Sequence, residues 1–69
     1  MKIEKYPIEP NFNDIVFEKT IQFFIDNYNE FSMKIKRNKS HIILEIPDNN
    51  TMWCLFIYGV YELNKTKNN

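Results

Sequence analysis

The segment that most constrains the fold runs from residue 51 to residue 63, TMWCLFIYGVYEL, because it is apolar or aromatic at almost every position. With the two-residue period of a β-strand, both of its faces are apolar: one carries Trp53, Leu55, Ile57, Tyr61 and Leu63, and the other carries Met52, Cys54, Phe56, Tyr58 and Val60. β-Branched and aromatic residues favour strands, and Gly59 is compatible with a bend or a bulge. We therefore predict one long strand, which needs an apolar cover on each face.

The length of the chain limits how much of this surface it can bury. Sixty-nine residues are enough for one small domain, in the size range where association with another chain often completes the core. We predict a single α+β domain over residues 1–69, with residues 1–12 as an arm or short strand and residues 64–69 as a frayed tail. No apolar run reaches membrane-spanning length and the N-terminus has no signal-peptide core, so we expect a cytoplasmic protein.

The amino-acid usage indicates a kind of genome rather than a function. Alanine is absent, whereas asparagine and isoleucine occur ten times each and lysine eight times. Such usage is typical of an AT-rich genome, as in low-GC bacteria, their phages and mobile elements. We therefore expect the protein to come from a source of this kind.

A regular apolar stripe predicts a helix in the first half of the chain. Its members recur at steps of four and three residues: Phe17, Ile21, Phe24, Tyr28 and Phe31. This spacing is that of one face of an amphipathic helix, which we expect to run from about residue 14 to residue 29. Asn13 is a good N-cap, and we expect Asn27 or Asn29 to end the helix in a left-handed conformation.

Two turn signals predict how the second half folds into a sheet. A two-residue turn at residues 38–39 would pair Ile35 with Ile42. A second turn at residues 47–50 would add the apolar segment as the third strand, with Trp53 buried beneath the helix. We therefore predict an α+β fold in which one amphipathic helix packs on one face of a three-stranded antiparallel meander, with a possible short N-terminal edge strand (βαβββ or αβββ).

The other face of this sheet has no cover within the chain. It carries five apolar residues that we predict to bind a partner: Ile43, Met52, Phe56, Tyr58 and Val60. Exposed apolar patches mark interaction sites, and a long unpaired edge strand invites pairing with another molecule. We predict a non-catalytic module that occupies a partner protein, as accessory, immunity and phage-type inhibitor proteins do, or a homodimer formed through the third strand, or both.

The hairpin also carries a cluster of basic residues. Four positive charges lie within six residues: Lys34, Lys36, Arg37 and Lys39. Such a cluster can contact phosphates, which makes a nucleic-acid-binding module the alternative function. The whole chain has nine basic and nine acidic residues and a formal net charge of zero, which does not favour general affinity for nucleic acid.

Few residues of this chain could carry catalysis. It has none of the hydrolase, phosphate-loop or zinc-protease motifs, and one cysteine with one histidine is too few for a closed zinc site. We therefore predict a protein that is not an enzyme and has no metal or cofactor. No intrachain disulfide is possible, and we expect Cys54 to be a buried structural thiol.

One short motif points to a third alternative. Ser40 and His41 follow the basic turn and open the next strand. In this position they resemble the Gly-Ser-His motif of the HicA-type toxin ribonucleases, with Lys39 at the glycine position. The resemblance implies a double-stranded-RNA-binding-like fold and a ribonuclease that uses His41, although the predicted chain has no helix after the sheet.

Overall fold

The protein forms a three-stranded antiparallel sheet with two helices packed on one face. The structure, a computed structural model, describes residues 1–66. Its elements are, in chain order, β1 (Lys2–Pro7), α1 (Asp14–Asn27), β2 (Lys34–Arg37), β3 (His41–Ile46), a 3₁₀ turn (Asp48–Asn50) and α2 (Trp53–Leu63). The strands lie in the order β1-β3-β2. The predicted α+β class is confirmed, and so is the packing of a helix on a three-stranded antiparallel sheet.

The strand predicted for residues 51–63 is wrong, because this segment forms α2. Its core-facing residues recur every four positions at Trp53, Ile57 and Tyr61, and the last two are buried. A segment that is apolar on all sides fits the period of a helix as well as that of a strand, and a length of eleven residues favours the helix. The predicted meander is therefore replaced by the order βαββα.

The N-terminal segment supplies the third strand of the sheet, as the edge strand that the sequence predicts as possible. Every residue of β1 is aligned with a residue of β3, and Tyr6 lies opposite Ile42. Because β1 and β2 flank β3 on its two sides, no position beside β3 is left for the apolar segment. That segment covers the sheet as a helix instead.

The hairpin of β2 and β3 has the predicted faces in a shifted register. Ile35 pairs with Leu44, two residues beyond its predicted partner. The side-chain oxygen of Asn38 accepts hydrogen bonds from the backbone N–H groups of Ser40 and His41, each at 2.8 Å, and this stabilises a turn that begins one residue later. Because side chains alternate with a period of two, the shift leaves each of them on its predicted face.

The core lies between the inner face of the sheet and the two helices. Its fully buried large side chains are Phe17, Ile21, Phe31, Ile42, Leu44, Ile46 and Ile57. Aromatic rings close both ends of this layer: the ring centroids of Tyr6 and Tyr61 are 4.7 Å apart, and those of Phe31 and Trp53 are also 4.7 Å apart. Trp53, which is predicted to be buried, is half-buried at the start of α2.

α1 begins where the sequence predicts and ends earlier. The Asn13 side-chain oxygen accepts a hydrogen bond from the Val16 N–H at 3.3 Å, as expected of an N-cap. The helix ends at Asn27, and Tyr28 follows in an extended conformation. None of the residues 1–66 has a positive φ, so the predicted left-handed cap is wrong. Instead, the Tyr28 ring stacks on that of Phe24, with centroids 5.4 Å apart.

The segment after α2 is tied to the entry of α1. The backbone N–H of Asn13 donates to the Asn64 carbonyl oxygen at 2.7 Å, and that of Thr66 donates to the Asn11 carbonyl oxygen at 2.6 Å. Residues 64–66, which belong to the predicted frayed tail, take part in these backbone hydrogen bonds, and the fraying of the tail stays a prediction. Residues 67–69 lie outside the described residues.

Candidate functional site

The most exposed large apolar side chains of residues 1–66 belong to α2 and to the residue that precedes it. They are Met52 at 86%, Leu55 at 82% and Leu63 at 86% exposure. Together with the exposed Gly59 they lie on the side of the helix opposite the buried Ile57 and Tyr61. We call Met52, Leu55, Gly59 and Leu63 the outward face of α2.

The outward face follows from the composition of α2. The helix WCLFIYGVYEL has a single charged residue, Glu62, whereas a surface helix normally turns a polar stripe to solvent. At the margin of the face, a hydrogen bond between the Tyr58 hydroxyl and Glu62 raises the pKa of Tyr58. The four residues of the outward face are uncharged, and the carboxylate of Glu62, seven residues after Leu55, lies at the margin.

α1 exposes a further apolar side chain near α2. Phe23 is 55% exposed. The Phe23 ring packs edge-on against Phe24 with centroids 5.6 Å apart, and Phe24 packs in the same way against Phe56 of α2 at 4.8 Å. Contacting rings therefore connect the exposed Phe23 to α2.

The five residues predicted to bind a partner do not form one surface. Met52 and Tyr58 are both exposed on the α2 side of the molecule. Phe56 and Val60 also belong to α2 but pack against the core. Ile43 lies in β3 on the sheet face away from the helices. The prediction groups them because alternate residues share one face of a strand, which is not true of a helix.

Sequence reasoning missed the two leucines of the outward face. The strand prediction places Leu55 and Leu63 on the face that the helix α1 covers, whereas both are exposed. Each is four residues from Gly59, and residues four apart share one side of a helix. This four-residue spacing is the signal in the sequence that could have identified Leu55 and Leu63 as members of one helix face.

The sheet face away from the helices forms a second exposed surface. We call it the outer sheet face and define it by the side chains that alternate onto it: Ile3, Lys5, Pro7, Lys34, Lys36, His41, Ile43 and Glu45. The Lys36 Nζ lies 2.6 Å from the Glu45 Oε2, and this hydrogen bond lowers the pKa of Glu45. Three lysines against one carboxylate leave the outer sheet face with an excess of positive charge.

The predicted basic cluster is divided between the two faces of the sheet. Its members are Lys34, Lys36, Arg37 and Lys39. Arg37 points to the inner side, where its Nη2 lies 2.6 Å from the Asp14 Oδ2 and 2.8 Å from the Glu18 Oε1 of α1. Hydrogen bonds to Asp14 and then to Glu18 raise the pKa of Arg37. Arg37 therefore joins β2 to α1, and the three lysines are left as the possible basic contact.

The residues of the ribonuclease resemblance lie side by side in the hairpin. The Ser40 Oγ lies 2.8 Å from the His41 Nδ1 and 3.1 Å from the Asn38 Oδ1. A helix does follow the sheet, contrary to the sequence prediction, and it is α2. The use of His41 in catalysis stays a prediction.

The remaining features bear on metals, thiols and clefts. Residues 1–66 contain no group of three or more His, Cys, Asp or Glu side chains placed to hold a metal ion, and none of their helices is long and apolar enough to cross a membrane. Cys54 is free and half-buried.

An open cleft of about 600 Å³ lies at one end of the sheet, lined by Met1, Ser32, Met33, Lys34, Glu45, Pro47 and Asp48. The N-terminal ammonium group and Asp48 form an ion pair of 2.9 Å at this cleft.

The chain was compared with models of known protein families, with curated proteins and with solved structures, and none of the three comparisons found a match. A functional proposal therefore rests on the surfaces described above.

Proposed function

We propose that this protein is a non-catalytic module that binds a partner protein through the outward face of α2. It acts by occupying that partner, as accessory, immunity and phage-type inhibitor proteins do. The observation that carries the proposal is the exposure of Met52, Leu55 and Leu63, each above four-fifths. We also propose a cytoplasmic location. The chain has one cysteine and can form no internal disulfide, which agrees with a reducing compartment.

The chemistry of the outward face is that of an interface centre. Protein interfaces are depleted of charge at their centre and enriched in methionine and aromatic residues, and exposed apolar patches mark interaction sites. The outward face has Met52 and two leucines, with Tyr58 at its margin. Its members follow one another at steps of three, four and four residues, which is the spacing of the anchors by which an amphipathic helix enters a groove.

Leu55→Glu tests the proposed function. The new carboxylate would lie in the middle of the interface, where burial of an unpaired charge is unfavourable. Loss of an interface hot spot costs about 2 kcal/mol or more, so we expect binding to weaken by roughly thirtyfold. The measurement is a pull-down from extracts of the native cells with wild type and variant as baits, quantified by mass spectrometry.

A matched control separates the face from a general effect of charge. Ile15 is 51% exposed in the first turn of α1, where a carboxylate is compatible with the helix dipole. Ile15→Glu should retain the partner that Leu55→Glu loses. A partner held equally well by wild type, Ile15→Glu and Leu55→Glu would contradict the proposed function.

One observation favours a second candidate function, which is binding of a nucleic-acid backbone by the outer sheet face. Lys5 of β1, which is not part of the predicted basic cluster, joins Lys34 and Lys36 on this face. Clustered lysines suit phosphate contacts. The ion pair of Lys36 with Glu45 and the net charge of zero make this candidate the weaker one.

The dependence of binding on salt tests this second candidate. A double variant, Lys5→Gln with Lys34→Gln, removes two possible phosphate contacts, so the slope of log K against log salt for duplex DNA should fall in magnitude by about 1.8. Lys19→Gln on α1, which is also exposed, should leave the slope unchanged. Fluorescence anisotropy of labelled DNA and RNA measures both, and wild-type protein that does not bind at low salt would exclude the candidate.

A further inference from the structure

The single glycine of the chain has no structural role within it. Gly59 lies inside α2, without a positive φ, and a Cβ placed on it would meet no atom within 4 Å apart from its chain neighbours and the surrounding backbone of the helix. Glycine in a helix interior costs about 0.5–1 kcal/mol relative to alanine. Neither the conformation of the backbone nor packing within residues 1–66 offsets that cost. Close approach of another molecule at this position would account for the glycine.

The outward face has the shape that such an approach needs. Leu55 and Leu63 lie four residues before and four residues after Gly59, which is about 6 Å to either side along the helix axis. Both leucines are more than four-fifths exposed. Gly59 leaves a gap between the two leucines. At this gap the backbone of a second helix can approach the backbone of α2 closely, as small residues allow at tight helix crossings.

We propose that the outward face of α2 binds the same face of a second copy of this chain, in an antiparallel crossing at Gly59. A two-fold axis through this point places Leu55 of each copy opposite Leu63 of the other, because both leucines are four residues from the glycine. The face is thus complementary to itself, as a symmetric dimer requires. This inference rests on the proposed function, since it names the partner of the same face.

The charges of α2 permit this pairing. Glu62 is the one charged residue of the helix, and it lies three residues from Gly59. In an antiparallel crossing the two copies of Glu62 fall on opposite sides of the axis, about 9 Å apart along the helix direction. The pairing therefore brings apolar side chains together without opposing like charges at the crossing point.

The size of the surface sets the expected strength of the dimer. A standard interface buries roughly 800 Å² on each partner, and four residues of one helix cannot supply that area alone. The exposed Tyr58 beside the face and Phe23 of α1 enlarge it. We therefore expect a reversible dimer that forms between micromolar and near-millimolar protein concentrations.

Sedimentation equilibrium over that concentration range tests the inference with wild type and three variants. Leu55→Glu and Gly59→Leu should each raise the dissociation constant at least tenfold, the first by adding charge and the second by filling the gap at the crossing. Ile15→Glu should leave it unchanged. Circular dichroism confirms folding, and Gly59→Leu should keep its helix because leucine is the better helix former and the position is open.

The Gly59→Leu variant makes the test specific. It adds apolar surface, so association by a general apolar patch would become tighter, and that result would overturn the inference. Wild-type protein that stays monomeric at near-millimolar concentration would also overturn it. Neither result affects the pull-down that tests the proposed function. That test contradicts the proposed function only if Leu55→Glu holds a partner as well as wild type and Ile15→Glu do.

Discussion

Phe17→Ala is expected to lower the free energy of unfolding by about 3–5 kcal/mol. Phe17 is fully buried, and its ring contacts those of Tyr6 at 5.1 Å and Phe12 at 5.4 Å between centroids. Removal of the ring would leave a cavity that α1 and the sheet cannot close. A 69-residue domain has a total stability of roughly 3–10 kcal/mol, so most of it would be lost. Urea unfolding followed by circular dichroism measures the change.

The control for this prediction is the same substitution on the exposed side of the same helix. Phe23 is 55% exposed, and Phe23→Ala should cost far less than Phe17→Ala while introducing a better helix former. Similar losses of stability in the two variants would contradict the structure, in which Phe17 lies in the core and Phe23 is exposed.

Ile57→Ala and Leu55→Ala should differ strongly in stability, which tests the structure of α2. Ile57 is fully buried whereas Leu55 is 82% exposed, because residues two apart lie on different sides of a helix. We expect Ile57→Ala to cost about 2–5 kcal/mol and Leu55→Ala to change stability by no more than about 0.5 kcal/mol. Urea unfolding of dilute protein gives both values.

The same pair distinguishes the helix from the strand that the sequence predicts. In a strand, Leu55 and Ile57 would share one face, and both truncations would remove buried side chains. Comparable losses of two or more kcal/mol for the two variants would therefore contradict α2 as described. A large loss for Ile57→Ala alone would agree with it.

The first helix was predictable because its apolar residues fit one period only. Between Phe17 and Tyr28 the apolar stripe recurs at steps of three and four, and charged or amide side chains occupy other sides of the helix. Residues 51–63 carry no such contrast, since almost all of them are apolar, and periods of 2 and of 3.6 fit equally well. Their structure is decided by tertiary packing, in which β1 occupies the position beside β3.

The candidate site depended on that ambiguous segment and on contacts between distant parts of the chain. Treating the segment as a strand joins Met52 to Ile43, although the structure places them on different sides of the sheet. In the same way, the sequence alone assigns Arg37 to the basic cluster. In the structure Arg37 binds Asp14 and Glu18 instead, which lie 23 and 19 residues away in sequence. Local spacing carries no information on such pairs.

Disulfide cross-linking at Gly59 is the measurement that tests the outward face of α2 most directly. In a Cys54→Ser background, Gly59→Cys places one thiol at the proposed crossing, where the two Cα atoms should come within the 4.4–6.8 Å or so that a disulfide spans. Mild oxidation should then convert this variant to a covalent dimer, while an Ile15→Cys control should stay largely monomeric. Cross-linking of Gly59→Cys no greater than that of Ile15→Cys would contradict the proposed crossing.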